Sequence, residues 1–283
     1  MMRTLVVATY PAITGSPIIG LASIAKSGGV RIADTEYSCM QGAFALIASA
    51  TTVAEANAAP RPYALLCADV GRGDGTIEAF QLLPEVVSQV EPDIVVFHYM
   101  KPLVSLMSDA VSKIDDIRPQ TTLVADAGGM YAAKAAGVAD RFELMTPDVG
   151  EIGFLADPGT QHPAYSSKFI FGGQDFDPAH LAQRAWESGG SARTLIIKGA
   201  VDHICREGRV VARVSEPSVP ALEAVGGTGD TLTGIVCALM ATGLPTVDAA
   251  TKGCEMNRRA GEDLGATPAT SVAEFIVSIR ASM

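Results

Sequence analysis

Hydrophobic residues along the chain fall into short β-branched runs that alternate with segments of helical pattern. Seven runs predict strands: Leu5–Thr9, Val30–Ala33, Tyr63–Ala68, Asp93–Phe97, Thr122–Ala125, Phe142–Met145 and Thr194–Lys198. Helical stretches lie between most of them, including Pro17–Lys26, Thr76–Val90 and Met130–Ala136. Loops rich in Gly, Pro or Asp follow the strands. This alternation is typical of a parallel sheet with crossover helices, and it predicts an α/β fold with a mostly parallel central sheet.

The last third of the chain has a different pattern. The runs Ile204–Cys205 and Arg209–Val214, separated by a Glu-Gly pair, predict a hairpin near the edge of the sheet. After Gly226 the pattern predicts only helices: Thr228–Thr242, Thr246–Leu264 and Ser271–Ile279. The irregular stretch Asp157–Asp175 has no periodicity, and either a cover over a site or a plain surface excursion would account for it.

Length and composition favour one large core over several small ones. The chain has 283 residues, of which 48% are hydrophobic and 18% charged, so we expect a single domain over residues 1–283. A formal charge of −10 argues against nucleic acid or an anionic membrane as the main partner and favours a small molecule. The five cysteines are scattered and lack C-x-x-C spacing, which indicates neither a disulfide framework nor a zinc site. The first apolar run is too short to span a bilayer, and we expect a cytoplasmic protein with reduced cysteines.

The most informative motif is glycine-rich and runs into a strongly apolar helix. Residues Val225 to Asp230 have the sequence Val-Gly-Gly-Thr-Gly-Asp. Glycines ahead of a helix let backbone N–H groups approach an anion, and the helix N-terminus adds partial positive charge. Asp230 would lie at the mouth of this cradle, where a carboxylate can accept a proton from a hydroxyl that attacks a phosphoryl group. An ordinary N-cap with a tight turn would use the same residues.

Charged side chains follow several predicted strands, at the edge where open α/β sheets bind ligands. Asp148 and Glu151 are three residues apart and would hold magnesium through water, although an N-cap with a first-turn acid has the same pattern. Asp126 follows the strand that ends at Ala125, where it would orient a substrate or a metal. Lys198 places a cation at the end of another strand, and a solvated lysine is the alternative there.

Three further segments have weaker signals. The turn Gly15-Ser16-Pro17 precedes the predicted helix Pro17–Lys26 and is a second candidate ligand loop. His98 follows the strand Asp93–Phe97, so it either reaches the site or is a hydrogen-bonded structural histidine. The run Val70–Gly75 is also rich in glycine, but flexible turns often have such composition, and it receives no role.

Taken in order, these motifs resemble the ribokinase-like superfamily and, within it, the nucleotide-dependent NAD(P)H-hydrate dehydratases. The Gly-Gly-Thr-Gly-Asp run that ends at Asp230, followed by Gly234, is similar to the anion hole of that family. Other similar segments are the turn at residues 15–17, Asp126-Ala127, Thr146–Glu151 and Ile197–Ala200. The resemblance covers nearly the whole chain and implies a three-layer α/β/α ribokinase-like fold.

The resemblance also implies an activity and a set of roles. ATP or ADP would phosphorylate the hydroxyl of hydrated NAD(P)H, phosphate would then be eliminated, and Asp230 would be the catalytic base. The residues implied to bind the nucleotide are Lys198, Gly226, Gly227, Thr228 and Gly229. Those implied to bind the substrate are Gly15, Ser16, Asp126 and Asp148, and Glu151 would hold Mg²⁺. A homo-oligomer is implied in the same way.

Departures from the family pattern keep other functions open. The family usually has His where this chain has Asp148, and its glycine-rich loop after a central strand is replaced by Phe97–Pro102. The alternative is an ATP-dependent kinase that phosphorylates a hydroxyl of a small metabolite, such as a sugar or a hydroxymethyl-pyrimidine. Thiamin-precursor kinases of the superfamily commonly have Cys in place of the base, whereas this chain has Asp230. A third hypothesis is a non-catalytic, nucleotide-sensing protein on the same fold.

Overall fold

The computed structural model describes residues 1–25, 29–160 and 177–282, and the predicted irregular stretch Asp157–Asp175 lies mostly outside these ranges. The strands are β1 (Thr4–Tyr10), β2 (Ile18–Ile24), β3 (Val30–Ile32), β4 (Thr35–Tyr37), β5 (Tyr63–Ala68), β6 (Ile94–His98), β7 (Thr122–Asp126), β8 (Phe142–Met145), β9 (Thr194–Ile197), β10 (Asp202–Arg206) and β11 (Arg209–Val214). They form one sheet in the order β11-β10-β9-β8-β7-β6-β1-β5-β2-β3-β4. The six strands from β9 to β5 in that order are parallel, and the strands at both margins are antiparallel.

Nine α-helices pack on the two faces of the sheet within the described ranges. They are α1 (Ala43–Ala56), α2 (Asp74–Val90), α3 (Val104–Ile117), α4 (Gly128–Ala135), α5 (Val149–Leu155), α6 (Pro178–Glu187), α7 (Thr228–Ala241), α8 (Thr246–Leu264) and α9 (Val272–Ala281). The sheet has a hydrophobic core on each face. On one face, strand residues such as Val96 pack with α1, α7, α8 and α9. On the other face, the alternating strand residues, such as Val95, pack with α2–α6. The fold is therefore the predicted three-layer α/β/α architecture. Among these helices, none combines the length and the apolar character needed to cross a bilayer.

The predicted strands and the three C-terminal helices are confirmed within a few residues, and so is the hairpin, which is β10–β11. The helix predicted at Pro17–Lys26 is wrong, because its described part forms β2, and Lys26 lies outside the described residues. Buried residues recur at every second position from Ile18 to Ala22, which is the period of a strand. Antiparallel pairing with β5 decides in favour of the strand. The Gly15-Ser16-Pro17 turn consequently leads into a strand.

The sequence pattern did not predict helix α1, because this helix is apolar on nearly every side. Eleven of its 14 residues are buried, so it lacks the contrast between faces that marks an amphipathic helix. It crosses α7 closely at Gly234, where a Cβ would lie 2.2 Å from the Leu46 carbonyl oxygen. This crossing brings the beginning of α1 to the beginning of α7, where the predicted site lies.

Candidate functional site

Helix α7 begins with an open turn of backbone amides. Its N-cap, Gly227, has a left-handed conformation (φ 102°) and offers no side chain to cap the helix. A Cβ at this position would lie 2.9 Å from Val272 Cγ2, so both conformation and space require glycine. Gly226 is exposed and Gly227–Gly229 are partly exposed. The turn therefore presents uncapped N–H groups and the positive end of the helix to solvent.

Asp230 lies in this first turn, and its carboxylate is directed inward. The residue is buried, with 7% of its surface exposed. Its Oδ2 accepts a hydrogen bond from the Gly42 backbone N–H at 2.7 Å, and its Oδ1 lies 2.9 Å from His98 Nε2. Gly42 is the N-cap of α1 and His98 is the last residue of β6. Three parts of the chain that are distant in sequence therefore meet at one carboxylate.

A second buried carboxylate, Asp126, anchors the neighbouring polar network. Lys198 Nζ lies 3.2 Å from Asp126 Oδ1, and the Thr233 hydroxyl donates to Asp126 Oδ2 at 2.7 Å. Burial raises the pKa of Asp126, but the Lys198 ammonium and the hydrogen bond from Thr233 together hold it below the usual value. Burial lowers the pKa of Lys198, yet Asp126 and Glu151 outweigh it and the pKa is raised. Both shifts favour the charged forms, so the pair is an ion pair at neutral pH.

Sheet register explains why His98 and Asp126 meet beneath α7. They are the last residues of β6 and β7 and are direct partners across the two parallel strands. Their face is that of Val96 and Val124, which pack toward α7. His98 Nε2 is 3.7 Å from Asp126 Oδ2, so the imidazole lies between two carboxylates. Of the two interpretations of His98 left open by the sequence, the structure favours the one in which it reaches the site.

Asp148 and Glu151 form a reciprocal cap at the start of α5. The Asp148 backbone N–H donates to Glu151 Oε2 at 2.8 Å, and the Glu151 N–H donates to Asp148 Oδ1 at 2.8 Å. The Tyr131 hydroxyl donates to Glu151 Oε1 at 3.3 Å. Burial raises the pKa of Glu151 to about 7. The capping alternative is thus realised, and the magnesium role of Glu151 remains a prediction.

Gly15 and Ser16 occupy an exposed loop at the tips of β1 and β5. Gly15 abuts Tyr10, because a Cβ there would lie 2.4 Å from the Tyr10 hydroxyl oxygen. The contacts of the described residues do not connect either of them with Asp230, so their predicted substrate role is untested.

A cleft of about 420 Å³ opens beside the network. Its walls come from strand ends and the loops after them, and include Thr9, Asp69, Tyr99, Lys101, Tyr131 and Glu151. A larger cavity of about 540 Å³ lies at the opposite, amino-terminal edge of the strands, lined by Met2, Thr122 and Arg141 among others. None of the predicted site residues lines that cavity. The smaller cleft contains one predicted site residue, Glu151, in its lining. It also lies at the carboxyl ends of the strands, where open α/β sheets bind ligands.

The cluster of His98, Asp126 and Asp230 also has the composition of a metal site. Their ligand atoms lie within 4.8 Å of one another. A metal-ligating histidine normally donates its other ring N–H to an acceptor, but Nδ1 of His98 is buried and has no partner among the described residues. Lys198 already pairs with the Asp126 carboxylate, and the Gly42 amide and His98 already contact the Asp230 carboxylate. This cluster therefore fits a hydrogen-bonded network better than a metal centre.

Sequence reasoning placed Asp230, Asp126 and Lys198 at strand or helix ends, and the structure brings these three together with Gly229. It missed the contributions of Gly42, Thr146 and Thr233. Thr233 bridges Asp126 and the Thr146 hydroxyl. Gly42 directly precedes α1, and because that helix was not predicted, nothing in the sequence marked Gly42 as its N-cap. For Thr233, its position one turn after Asp230 on α7 is the available signal.

Comparisons with known proteins find relatives by sequence and by fold. An uncharacterized protein of Methanocaldococcus jannaschii is 39% identical over 211 residues, which are 75% of this chain and 86% of that protein. The bifunctional NAD(P)H-hydrate repair enzyme Nnr of Methanospirillum hungatei is 36% identical over 132 residues, which are 47% of this chain and 26% of that enzyme. Pyridoxal kinase from Staphylococcus aureus in complex with AMP-PCP and pyridoxal shares the fold, with a TM-score of 0.55 and 14% identity over 92% of this chain and 88% of that chain.

The family described as NAD(P)H-hydrate dehydratase matches residues 106–279, a range that contains β7–β11 and α4–α8 with Asp126, Lys198 and Asp230. The chain therefore belongs to the Carb_kinase family, described as NAD(P)H-hydrate dehydratase.

Proposed function

We propose that this protein is a nucleotide-dependent repair dehydratase that acts on hydrated NAD(P)H. The observation that carries the proposal is the position of the Asp230 carboxylate in the same helical turn as the uncapped amides of α7. A proton acceptor and a phosphate cradle on one turn suit the transfer of a phosphoryl group to a hydroxyl. Membership of the family and the relationship to Nnr support hydrated NAD(P)H as the substrate.

The first turn of α7 has the features that a nucleotide phosphate needs. The space that a Cβ would fill at Gly229 is bounded by Lys198 Nζ, 3.3 Å away, so a cation borders the amides. We assign nucleotide binding to Gly226, Gly227, Thr228, Gly229 and Lys198. A bound ATP or ADP would supply the phosphoryl group. Each backbone amide of the cradle that binds the phosphate would stabilise the developing negative charge by about 3 kcal/mol.

Asp230 would accept the proton of the attacking hydroxyl. Each of its oxygens accepts one hydrogen bond, from Gly42 or from His98, and each has a further lone pair for a substrate proton. As the hydroxyl oxygen forms its bond to the terminal phosphorus of the nucleotide, the bond from that phosphorus to the bridging oxygen would break and release ADP from ATP, or AMP from ADP. The hydroxyl proton would move to the carboxylate. Asp126, which is charged and buried, would orient the substrate together with Asp148, Gly15 and Ser16.

Magnesium fits the oxygen donors at the start of α5. Carboxylates and water are the ligands that Mg²⁺ prefers, and Glu151 and Asp148 each offer a carboxylate. Because one oxygen of each already caps the helix, water would complete the contact. We assign the ion to Glu151; when bound, it would neutralise charge on the nucleotide phosphates.

A small-molecule kinase is the second candidate. The observation that favours it is the segment Phe97–Pro102, which occupies the place of the family's glycine-rich loop and borders the cleft with Tyr99 and Lys101. Tyr99 is 47% exposed and directs an aromatic ring to the cleft. A kinase of this kind would use Asp230 and the α7 amides identically and release the phosphorylated product.

The decisive experiment follows the return of dihydronicotinamide absorbance after the protein is mixed with hydrated NADH and either ADP or ATP. Recovery with one nucleotide, and none without nucleotide, is expected. If neither nucleotide gives recovery, the dehydratase is excluded. Release of ADP from ATP with a panel of sugars and pyrimidine alcohols then tests the kinase.

A single domain, a homo-oligomer and a cytoplasmic location stay predictions.

A further inference from the structure

His98 is the one ring in the described part of the chain that contacts the Asp230 carboxylate. Its side chain is completely buried. It packs edge-on against Tyr99, with ring centroids 4.4 Å apart, and the Tyr99 carbonyl in turn accepts a hydrogen bond from the Thr9 hydroxyl at 2.6 Å. The imidazole is thus fixed by its place at the end of β6, by its packing against Tyr99, and by the pairing of His98 with Asp126 across β6 and β7. A ring held this firmly presents Nε2 to a fixed point.

That point is one of the two oxygens of Asp230. The Gly42 amide binds Oδ2 and His98 Nε2 binds Oδ1, so two donors from different elements fix the torsion of the carboxylate. A carboxylate with one donor can rotate about its Cβ–Cγ bond, whereas two donors hold it in a single plane. Only the His98 donor can be removed by changing a side chain, because the other is backbone.

The hydrogen-bond partners of His98 indicate which ring nitrogen carries a proton. Asp230 accepts and cannot donate when it is ionised, so the ring must carry its proton on Nε2. Nδ1 is buried and has no hydrogen-bond partner among the described residues. The opposite tautomer would bury an N–H without an acceptor and direct a lone pair at a carboxylate, and both features cost free energy.

We propose that His98 is a positioning residue for the phosphoryl-transfer base. Its Nε2–H holds Asp230 in the orientation in which the carboxylate takes the hydroxyl proton. This inference rests on the proposed function only for the identity of the reaction. The segment Phe97–Pro102, which stands in the place of the family's glycine-rich loop, thereby supplies a side-chain donor to Asp230.

The experiment compares His98→Leu, which removes the donor, with His98→Gln, whose side-chain amide can donate from a similar position. The matched control is His203→Gln, because His203 lies on β10, contacts the Val201 carbonyl and is outside the site. We expect His98→Leu to lower kcat about 100-fold. Nucleotide affinity should stay within about twofold, since a residue that orients the base acts on the transition state. His98→Gln should recover most of the loss, and His203→Gln should match the wild type.

A second measurement does not depend on activity. Nitrogen-15 NMR of histidine-labelled wild-type protein should show His98 protonated at Nε2. The other tautomer, or a normal kcat in His98→Leu, would overturn the proposal. If His98→Leu does not fold, the kcat of His98→Gln and the tautomer of the wild type decide. If hydrated NADH gives no turnover, the proposed function fails, and the NMR result still decides the role of His98.

Discussion

The helices α2 and α7 begin in almost the same way, yet only one of them is open to a ligand. Each follows a glycine-rich loop, and each has a left-handed glycine as N-cap: Gly73 with φ 99° and ψ −4°, and Gly227 with φ 102° and ψ −7°. Neither glycine supplies a side-chain cap. By composition and backbone geometry, the two helix starts are equivalent candidates for anion binding.

The difference is a carboxylate built into one of the two loops. At α2, Asp69 Oδ1 accepts hydrogen bonds from the N–H groups of Gly71, Arg72 and Gly73 at 2.7, 2.9 and 3.1 Å, and its Oδ2 accepts from Thr76 at 3.3 Å. At α7, Asp230 turns away from its own helix end toward Gly42 and His98. One helix start therefore carries its own anion, whereas the other leaves its amides for a ligand. Glycine content alone does not distinguish them.

The largest effect should come from Asp230→Asn. The amide retains an acceptor for the Gly42 N–H but cannot take a proton, so we expect kcat to fall about 10³-fold with nucleotide affinity nearly unchanged. Asp74→Asn is the matched control, because Asp74 is the exposed acid in the first turn of α2. Steady-state kinetics and nucleotide titration measure both. Equal activity of the two variants would exclude Asp230 as the base.

The next effect should come from alanine at the two N-cap glycines. In Gly227→Ala and in Gly73→Ala, a left-handed conformation imposed on alanine should cost about 1–2 kcal/mol of unfolding free energy. Gly227→Ala also places a Cβ 2.9 Å from Val272 Cγ2 and shifts the cradle. Nucleotide binding should weaken about 10- to 100-fold in Gly227→Ala, as expected when hydrogen bonds to a charged group are lost.

Denaturant unfolding and calorimetric titration with nucleotide separate these effects. Gly73→Ala is the control for strain, because the nearest neighbours of its Cβ would be Lys101 and Leu103, at ordinary contact distance. If Gly73→Ala weakened nucleotide binding as much as Gly227→Ala does, the distinction between the two helix starts would be wrong.

A smaller effect should come from Asp69→Ala. Removal of the cap should lower the unfolding free energy by about 1 kcal/mol at neutral pH. Burial raises the pKa of Asp69, but the four backbone N–H groups outweigh burial and the pKa is lowered. A lowered folded-state pKa means that this stabilisation is complete above the usual aspartate pKa and disappears as pH falls through the folded value. The difference in unfolding free energy between wild type and variant, measured by urea unfolding, should therefore become smaller toward low pH.

Asp69→Ala also tests whether the built-in carboxylate is what closes α2 to anions. Without it, the amides of Gly71–Gly73 are free to bind an external anion. Added sulfate should raise the melting temperature of the variant more than that of the wild type. An equal rise in both would mean that sulfate does not bind at the α2 start.

Local pattern predicted the parallel sheet, the C-terminal helices and the amide cradle, because the periodicity of buried residues and the glycine run are properties of contiguous sequence. It failed where neighbours decide. Ile18–Ile24 became a strand through pairing with β5, and α1 was hidden because neighbouring helices and the sheet bury nearly all its sides. The sequence allowed two roles for Asp148 and Glu151, magnesium binding and helix capping, and their hydrogen bonds at the start of α5 form the cap.

The sequence by itself determined the family resemblance, the three-layer fold and the candidate base Asp230. Only the tertiary structure decided which glycine-rich loop is open and which side chains hold the base. Gly42 and His98 reach Asp230 across 188 and 132 residues of chain. Such contacts depend on sheet register and on the crossing of α1 with α7, and the physical reason is that a hydrogen bond is set by position in space, which local periodicity does not specify.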